Sequence, residues 1–165
     1  MLTTALTGDF VQSSTGALLI DLGSSDLVDV TGTATLDGAV RVQLTNLPSG
    51  PQQATILSAA GGTTGAGLTP EISPALQAEL SFPNATDVVL SYNLDFAASE
   101  AMLNRNQTEL ASYFNTALTD SSGALDPLLL DVVNGTTDVQ SYTDALNQLL
   151  PEVYLNSEIA TLLAS

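Results

Sequence analysis

Ser25-Asp-Leu-Val-Asp-Val-Thr-Gly-Thr-Ala-Thr-Leu-Asp-Gly38, continued by Ala39-Val-Arg-Val-Gln-Leu44, is the stretch that decides the fold. In its second part Val40, Val42 and Leu44 alternate with Arg41, Gln43 and Thr45. Side chains along a strand point to opposite faces in turn, so this pattern puts one face on a core and the other in water. Leu27–Val30 and Thr33–Leu36 are shorter strand-like runs, punctuated by Gly32 and Gly38. Upstream, Asp9–Gln12 and Ala17–Leu22 repeat the arrangement between Gly8, Gly16 and Gly23. Downstream, Thr55–Leu57 and Asp87–Tyr92 carry the same signal. Short strands at close spacing predict an all-β first part, and spacing alone leaves solenoid, sandwich and barrel open. The span from Pro48 to Pro83, with Gly61-Gly-Thr-Thr-Gly-Ala-Gly67, reads as loop-rich and is expected to interrupt the stacking.

The pattern changes near residue 97, which sets an expected boundary between a β part (1–97) and a helical part (98–165). From about Ser99, Leu110, Tyr113, Phe114, Ala117 and Leu118 share one helical face. Ser121-Ser-Gly123 closes that helix. Asp126-Pro127 then supplies an N-cap and a first-turn proline, Leu125, Leu128, Leu129, Val132 and Val133 form the next stripe, and Asn134-Gly135 ends it. Thr137 and Gln140 have capping-box spacing ahead of a stripe of Val139, Tyr142, Leu146, Leu149 and Leu150. A last helix is expected after Pro151, with Leu155, Ile159, Leu162 and Leu163 together.

Composition excludes whole classes of chemistry. The 165 residues are 44% apolar, enough for a packed core, and only 12% charged. Eighteen acids against Arg41 and Arg105 give a net charge of −16, which repels phosphate backbones, so no nucleic-acid partner is expected. The acids are spread evenly, nine on each side of residue 97. With no Cys, His or Lys, the chain cannot build the usual activated nucleophile, a thiolate–imidazole zinc site or a lysine phosphate loop. Carboxylates remain as the acid–base groups. No stretch approaches the apolar length needed to span a bilayer as a helix.

Read in order, Gly8-Asp-Phe-Val-Gln12, Gly16–Leu22, Ser25–Gly38 and Thr55-Ile-Leu-Ser-Ala59 resemble the end of the passenger in classical (type V) autotransporters. The resemblance continues through Val88-Val-Leu-Ser-Tyr-Asn93, an Asn/Gln-rich helix, and Ala145-Leu-Asn-Gln-Leu-Leu-Pro-Glu-Val-Tyr154; its most specific pieces are 25–38 and 144–154. It implies the terminal rungs of a right-handed parallel β-helix with a loop-rich cap, pertactin-like, followed by a helical segment leading to an outer-membrane β-barrel. It further implies an autochaperone role, in which a stable end templates the rungs before it. The partners implied are the upstream passenger and the downstream barrel. The implied location is the cell surface or exterior of a Gram-negative bacterium. On this reading the sequence is an excised segment with an added Met1, and the absence of Cys suits threading through a pore.

Candidate sites are weak beside this. Asp21, Asp26 and Asp29 could offer calcium oxygens but lack an EF-hand pattern, and solvated strand ends explain them better. Gly61–Gly67 misses both the calcium repeat and the dinucleotide fingerprint, and reads as a flexible turn. Asp26 with Asp29, or Asp9 with Asp37, could flank a glycosidic bond, yet no aromatic sugar platform and no Trp accompany them. Tyr113 and Phe114, and likewise Leu128, Leu129 and Leu130, are expected in the core rather than in a binding patch. Asn84, Asn106 and Asn134 begin glycosylation-type triplets that carry little weight. The expectation is therefore no enzyme, no catalytic, cofactor or metal residues, and a core of Leu18, Ile20, Val28, Val30, Leu36, Val40, Val42, Leu44, Val88 and Leu90. The alternative function is a secreted adhesin contacting host glycans or proteins. An enzyme using two carboxylates on polysaccharide is the third reading.

Overall fold

The computed structural model describes residues 3–23, 27–119 and 123–150. Nine strands come first: β1 (Thr3–Leu6), β2 (Phe10–Val11), β3 (Ala17–Leu22), β4 (Leu27–Val30), β5 (Ala34–Leu44), β6 (Gln52–Ala59), β7 (Thr63–Glu71), β8 (Leu76–Ser81) and β9 (Asp87–Leu94). A 3₁₀ turn (Glu100–Met102) leads to α1 (Arg105–Ala117), α2 (Asp126–Asn134) and α3 (Val139–Leu149). Strands followed by helices, with the change near residue 97, is the order expected from the sequence.

The strands form two sheets. One has the order β1-β4-β6-β9-β8; in the other β2 and β3 lie along one edge of β5 and β7 along its other edge. From β1 to β7 every pairing is parallel. Thr3 pairs with Leu27 and Phe10 with Ala34, each 24 positions on, while Ala17 pairs with Ala39. The next pass repeats this at an offset of 29, Val28 on Leu57 and Ala34 on Thr63. The chain thus makes a first pass (β1–β3), a second (β4, β5) and a third (β6, β7) that stack in step. The repeat stops there, because β9 adds antiparallel to β6 and β8 antiparallel to β9.

The expectation of a loop-rich cap over Pro48–Pro83 is corrected: three strands, β6, β7 and β8, occupy most of it. Gly61 is in a turn, as its neighbours suggested, but Gly65 and Gly67 lie inside β7, where other groups occupy the space of a side chain. A Cβ on Gly65 would meet the Phe82 ring at 2.6 Å, and one on Gly67 would strike the Asp37 carboxylate. Pro70 is tolerated because, among the described residues, β7 pairs only with β5, as an edge strand allows. The expected runs Thr33–Leu36 and Ala39–Leu44 also merge into one strand, Ala34–Leu44, with Gly38 at φ +82° inside it.

Alternation built the core as expected. Ile20, Val30, Leu36, Val40, Leu44, Val88 and Leu90 are buried, and Leu18, Val28 and Val42 pack partly buried against them. Phe96, Phe114, Leu129, Val132, Tyr142 and Leu146 belong to the same apolar cluster, so the helices share the core of the strands. Phe96 and Phe114 meet edge to face at 5.3 Å, a favoured aromatic geometry. Tyr113, expected in the core beside Phe114, is 59% exposed. The side chains of α1 that go inside are Gln107, Ala111 and Phe114, a face rotated away from Tyr113.

Two helix caps lie one residue away from their expected positions. Asp126 is the first helical residue of α2 rather than its N-cap, which is Leu125 without a side-chain bond. In α3 the cap is Asp138, whose Oδ1 accepts from Ser141 N–H at 2.7 Å, not Thr137 with Gln140. Asn104 and Gln107 form a reciprocal capping box on α1 that the sequence reading missed. The expected helix after Pro151 lies outside the described residues.

Candidate functional site

The two ends of the parallel stack differ. On the downstream side, β7 leaves β5 after Glu71, opposite Arg41, and would strand the later polar groups of β5. There Leu44 N–H donates to Asn134 Oδ1 at 2.8 Å, and Asn134 Nδ2 donates to Leu44 O at 2.9 Å. One side-chain amide thus stands in for the missing strand. Ser73 and Thr136 hydroxyls meet at 2.7 Å and Tyr142 O–H donates to Phe96 O at 2.5 Å, which fastens the helices over this side.

On the upstream side the first pass is bare. Among the described residues no strand pairs with the outer edges of β1, β2 and β3. In a ladder, alternate residues aim their N–H and C=O at opposite neighbours. Phe10 and Gln12 N–H donate toward the second pass, to Thr33 O and Thr35 O, which leaves the backbone groups of Val11 pointing away from it. Val11 is 72% and Leu19 58% exposed, large apolar side chains on these same edge strands. Their neighbours in the second pass are the polar Thr35 and Arg41.

The corners between strands hold the passes together. Gly32 N–H donates to Gly8 O at 2.9 Å and Gly61 N–H to Gly32 O at 2.8 Å, one glycine on the next. Asp9 Oδ1 accepts from Thr33 N–H at 2.7 Å and from Thr33 Oγ1 at 3.0 Å. The backbone bond foremost, these hold the Asp9 carboxyl below its ordinary pKa. Asp37, its proposed catalytic companion, accepts from Gly38 N–H at 2.7 Å. Each carboxylate therefore accepts a backbone bond of its own. Asp21 is the penultimate residue of β3 and Asp29 lies in β4, whereas Asp26 falls outside the described residues. Among the described residues no group of three acids is close enough to hold a metal ion.

A second surface is the outer face of β6, β9 and β8, a concavity of about 680 Å³ lined by Gln53, Gln77, Glu79, Ser91, Asn93 and neighbours. Gln53, Ser91 and Glu79 are direct cross-strand neighbours, and Gln53 Nε2 donates to Ser91 Oγ at 3.0 Å. One carboxylate among amides and hydroxyls makes this a hydrogen-bonding face.

Of the glycosylation-type asparagines, Asn134 is committed to Leu44 and Asn84 to its own turn, where its Oδ1 accepts from Thr86 and Asp87 N–H at 2.8 Å. Asn84 Nδ2 donates to the Asp87 carboxylate, which is held below its ordinary pKa by that bond first and by Ser58 second. Leu129 is buried, and Leu128 and Leu130 are partly buried. The sequence reading did not single out Gln12 or the role of Asn134. Nothing in a polar stretch such as Gln12-Ser-Ser-Thr15 marks one member as internal, and Asn134 before glycine carried only a helix-stop signal.

No family model, curated protein or solved structure matches the chain.

Proposed function

We propose that this chain is the closing part of an autotransporter passenger, a non-catalytic module whose stacked strands are the last rungs of a right-handed parallel β-helix and template the rungs before them. The observation that carries this reading is the asymmetry of the stack. Its downstream side is covered by antiparallel strands, Asn134 and the helices, while its upstream side offers three strand edges that no strand pairs among the described residues. A solenoid rung cannot bury its faces alone, so a folded end lowers the cost of adding the next. Sealing one side gives that addition a direction. The acidic surface, with a net charge of −16, suits a protein kept from nucleic acid and anionic membrane. The partners on this reading are the upstream passenger and a downstream barrel at the outer membrane of a Gram-negative cell.

Two measurements test it. Translation of the source locus beyond Ser165 is expected to give alternating strands of about ten residues with aromatic girdles, as in an outer-membrane barrel. In the full-length protein, deletion of residues 8–45 is expected to leave a passenger that reaches the surface unfolded and protease-sensitive; unchanged secretion and folding would refute the role.

The amide-rich concavity on β6, β9 and β8 favours a second reading, an adhesin that contacts host glycans or proteins. Binding of the purified chain on a glycan array, lost in Gln53→Ala with Glu79→Ala, is the outcome that distinguishes it.

A further inference from the structure

Asn134 and Gly135 are each required by the fold. The Asn134 amide gives Leu44 both an acceptor for its N–H and a donor for its C=O. At that side-chain length only asparagine offers both at neutral pH. Gly135 is the C-cap of α2, and its N–H donates to Asp131 O at 2.8 Å. A Cβ on it would lie 2.8 Å from that same oxygen, so glycine is the residue that fits. The sequence therefore carries an asparagine directly before a glycine, its only such pair.

Such a pair has a reaction of its own. The Gly135 nitrogen attacks Asn134 Cγ: an N–Cγ bond closes a five-membered imide, the Cγ–Nδ2 bond breaks, and the amide leaves as ammonia with the Gly135 backbone proton. Water then opens the imide, at Cγ to give aspartate or at the Asn134 backbone carbonyl to give isoaspartate. Nothing is oxidised or reduced. Glycine favours the closure because no Cβ hinders its nitrogen and its backbone turns freely. The folded chain withholds both reactants. Gly135 N–H is committed to Asp131 O, which retains the proton and holds the nitrogen in the helical path. Both ends of the Asn134 amide are held by Leu44. The next residue, Thr136, is buried, its hydroxyl donating to Val132 O at 2.8 Å and meeting Ser73 Oγ at 2.7 Å, so the backbone is fixed beyond the glycine as well. Bringing the nitrogen onto Cγ requires these contacts to open together.

We infer that Asn134 is a modification site gated by folding: the folded chain keeps its amide, an unfolded or locally opened chain loses it to water, and the product no longer closes the end of β5. Aspartate and isoaspartate both turn an acceptor-only carboxylate on the Leu44 carbonyl, which needs a donor. Isoaspartate also adds a methylene to the main chain at the end of α2. Either product adds one negative charge to a chain already at −16. A chain that stays unfolded thus loses the contact it needs to fold, and the loss is covalent.

The test holds the whole chain at mildly alkaline pH, in buffer and in urea, beside a peptide of residues 131–137 in the same two solvents, which separates unfolding from any effect of urea on the chemistry. Conversion is read by peptide mapping that resolves asparagine, aspartate and isoaspartate at position 134. In urea the chain is expected to convert at the rate of the peptide. In buffer it is expected to convert about tenfold more slowly or less, because the reaction then passes through a minor open population. Converted chain returned to buffer is expected to unfold at a lower urea midpoint than unconverted chain taken through the same cycle, and a converted chain that does not refold is that result at its limit. Conversion in buffer as fast as in the peptide overturns the gate. No conversion of the unfolded chain overturns the site. A converted chain with the midpoint of the parent overturns the consequence for the fold.

Discussion

Asn134, at the last position of α2, reaches across 90 residues of sequence to bond both the N–H and the C=O of Leu44 through one side-chain amide. The bonds of 2.8 and 2.9 Å have the donor–acceptor order of a neighbouring strand, at the place where β7 has already left β5. A helix terminus thereby completes a sheet. The cap has a structural consequence as well, since two backbone groups beside the buried Leu44 side chain depend on it.

Asn134→Ala should therefore destabilise the chain by about 2–4 kcal/mol, because each stranded backbone group costs roughly 1–3 kcal/mol when left unpaired near the core. Asn134→Asp keeps the acceptor for Leu44 N–H but turns a carboxylate oxygen on Leu44 O, so it should not rescue. Urea denaturation of the three proteins checks this, and equal midpoints for Asn134→Ala and the parent chain would show that the amide is incidental.

Tyr142 is fully buried, and its hydroxyl donates to Phe96 O. Burial above all, with the Asp95 charge second, pushes the phenol well above its ordinary 10.0. The unfolded chain ionises near 10 while the folded chain keeps its proton, so the stabilisation is complete below that pH and is lost as pH rises through and beyond it. Tyr142→Phe should cost about 1–3 kcal/mol at neutral pH through the unpaired Phe96 carbonyl. It should also flatten the decline in stability above pH ~10. Chemical denaturation repeated across the alkaline range measures both effects.

Strand alternation and helical stripes were legible because burial imposes them residue by residue. Ala17–Leu22 and Leu27–Val30 were read to the residue, and the Gly135 stop of α2 to the position. What the sequence hid was any feature whose cause lies far along the chain. Gly65 and Gly67 look like turn residues until Phe82 and Asp37 are seen in the space a side chain would need. Tyr113 sits on a plausible stripe, yet the polar Gln107 takes the inner face because its amide bonds Asn147 Oδ1 at 2.9 Å on α3. The open edge of β1–β3 is set by which strands pair, and no residue in those strands marks it. The buried amide of Gln12, which bonds Asp37 O and Ala39 O, and the amide cap of Asn134 are long-range pairings and leave no local pattern.

Acid should weaken the fold through three carboxylates at its corners and caps. Asp9 is held below its ordinary 3.8 chiefly by Thr33 N–H, Asp87 chiefly by the Asn84 amide, and Asp138 chiefly by Ser141 N–H. Each contributes stability that is present above the unfolded value near 3.8 and is lost as pH falls through the lower folded value. Urea midpoints should therefore drop below pH ~4, and Asp9→Asn, Asp87→Asn and Asp138→Asn should each shallow that drop while lowering the midpoint at neutral pH. Titration of these carboxyls by NMR would separate their contributions, and an unshifted Asp9 would mean that its bond to Thr33 is not maintained.

Gly38 should be the least replaceable glycine in the stack. It sits within β5 at φ +82°, where a side chain is strained, and an added Cβ would lie 2.5 Å from Gly16 O and 2.8 Å from Ser13 O in the preceding pass. Neither carbonyl can move freely, since Gly16 O accepts from Ala39 N–H and Ser13 O from Gly16 N–H. Gly38→Ala should cost about 2 kcal/mol or more, from strain and overlap together. Gly50, with φ +142° and nothing within 4 Å, is the control that carries strain without overlap, so Gly50→Ala should cost less. Thermal melts of the pair decide the matter: similar losses would mean that the preceding pass yields, and that the close stacking at the β5 corner does not constrain the sequence.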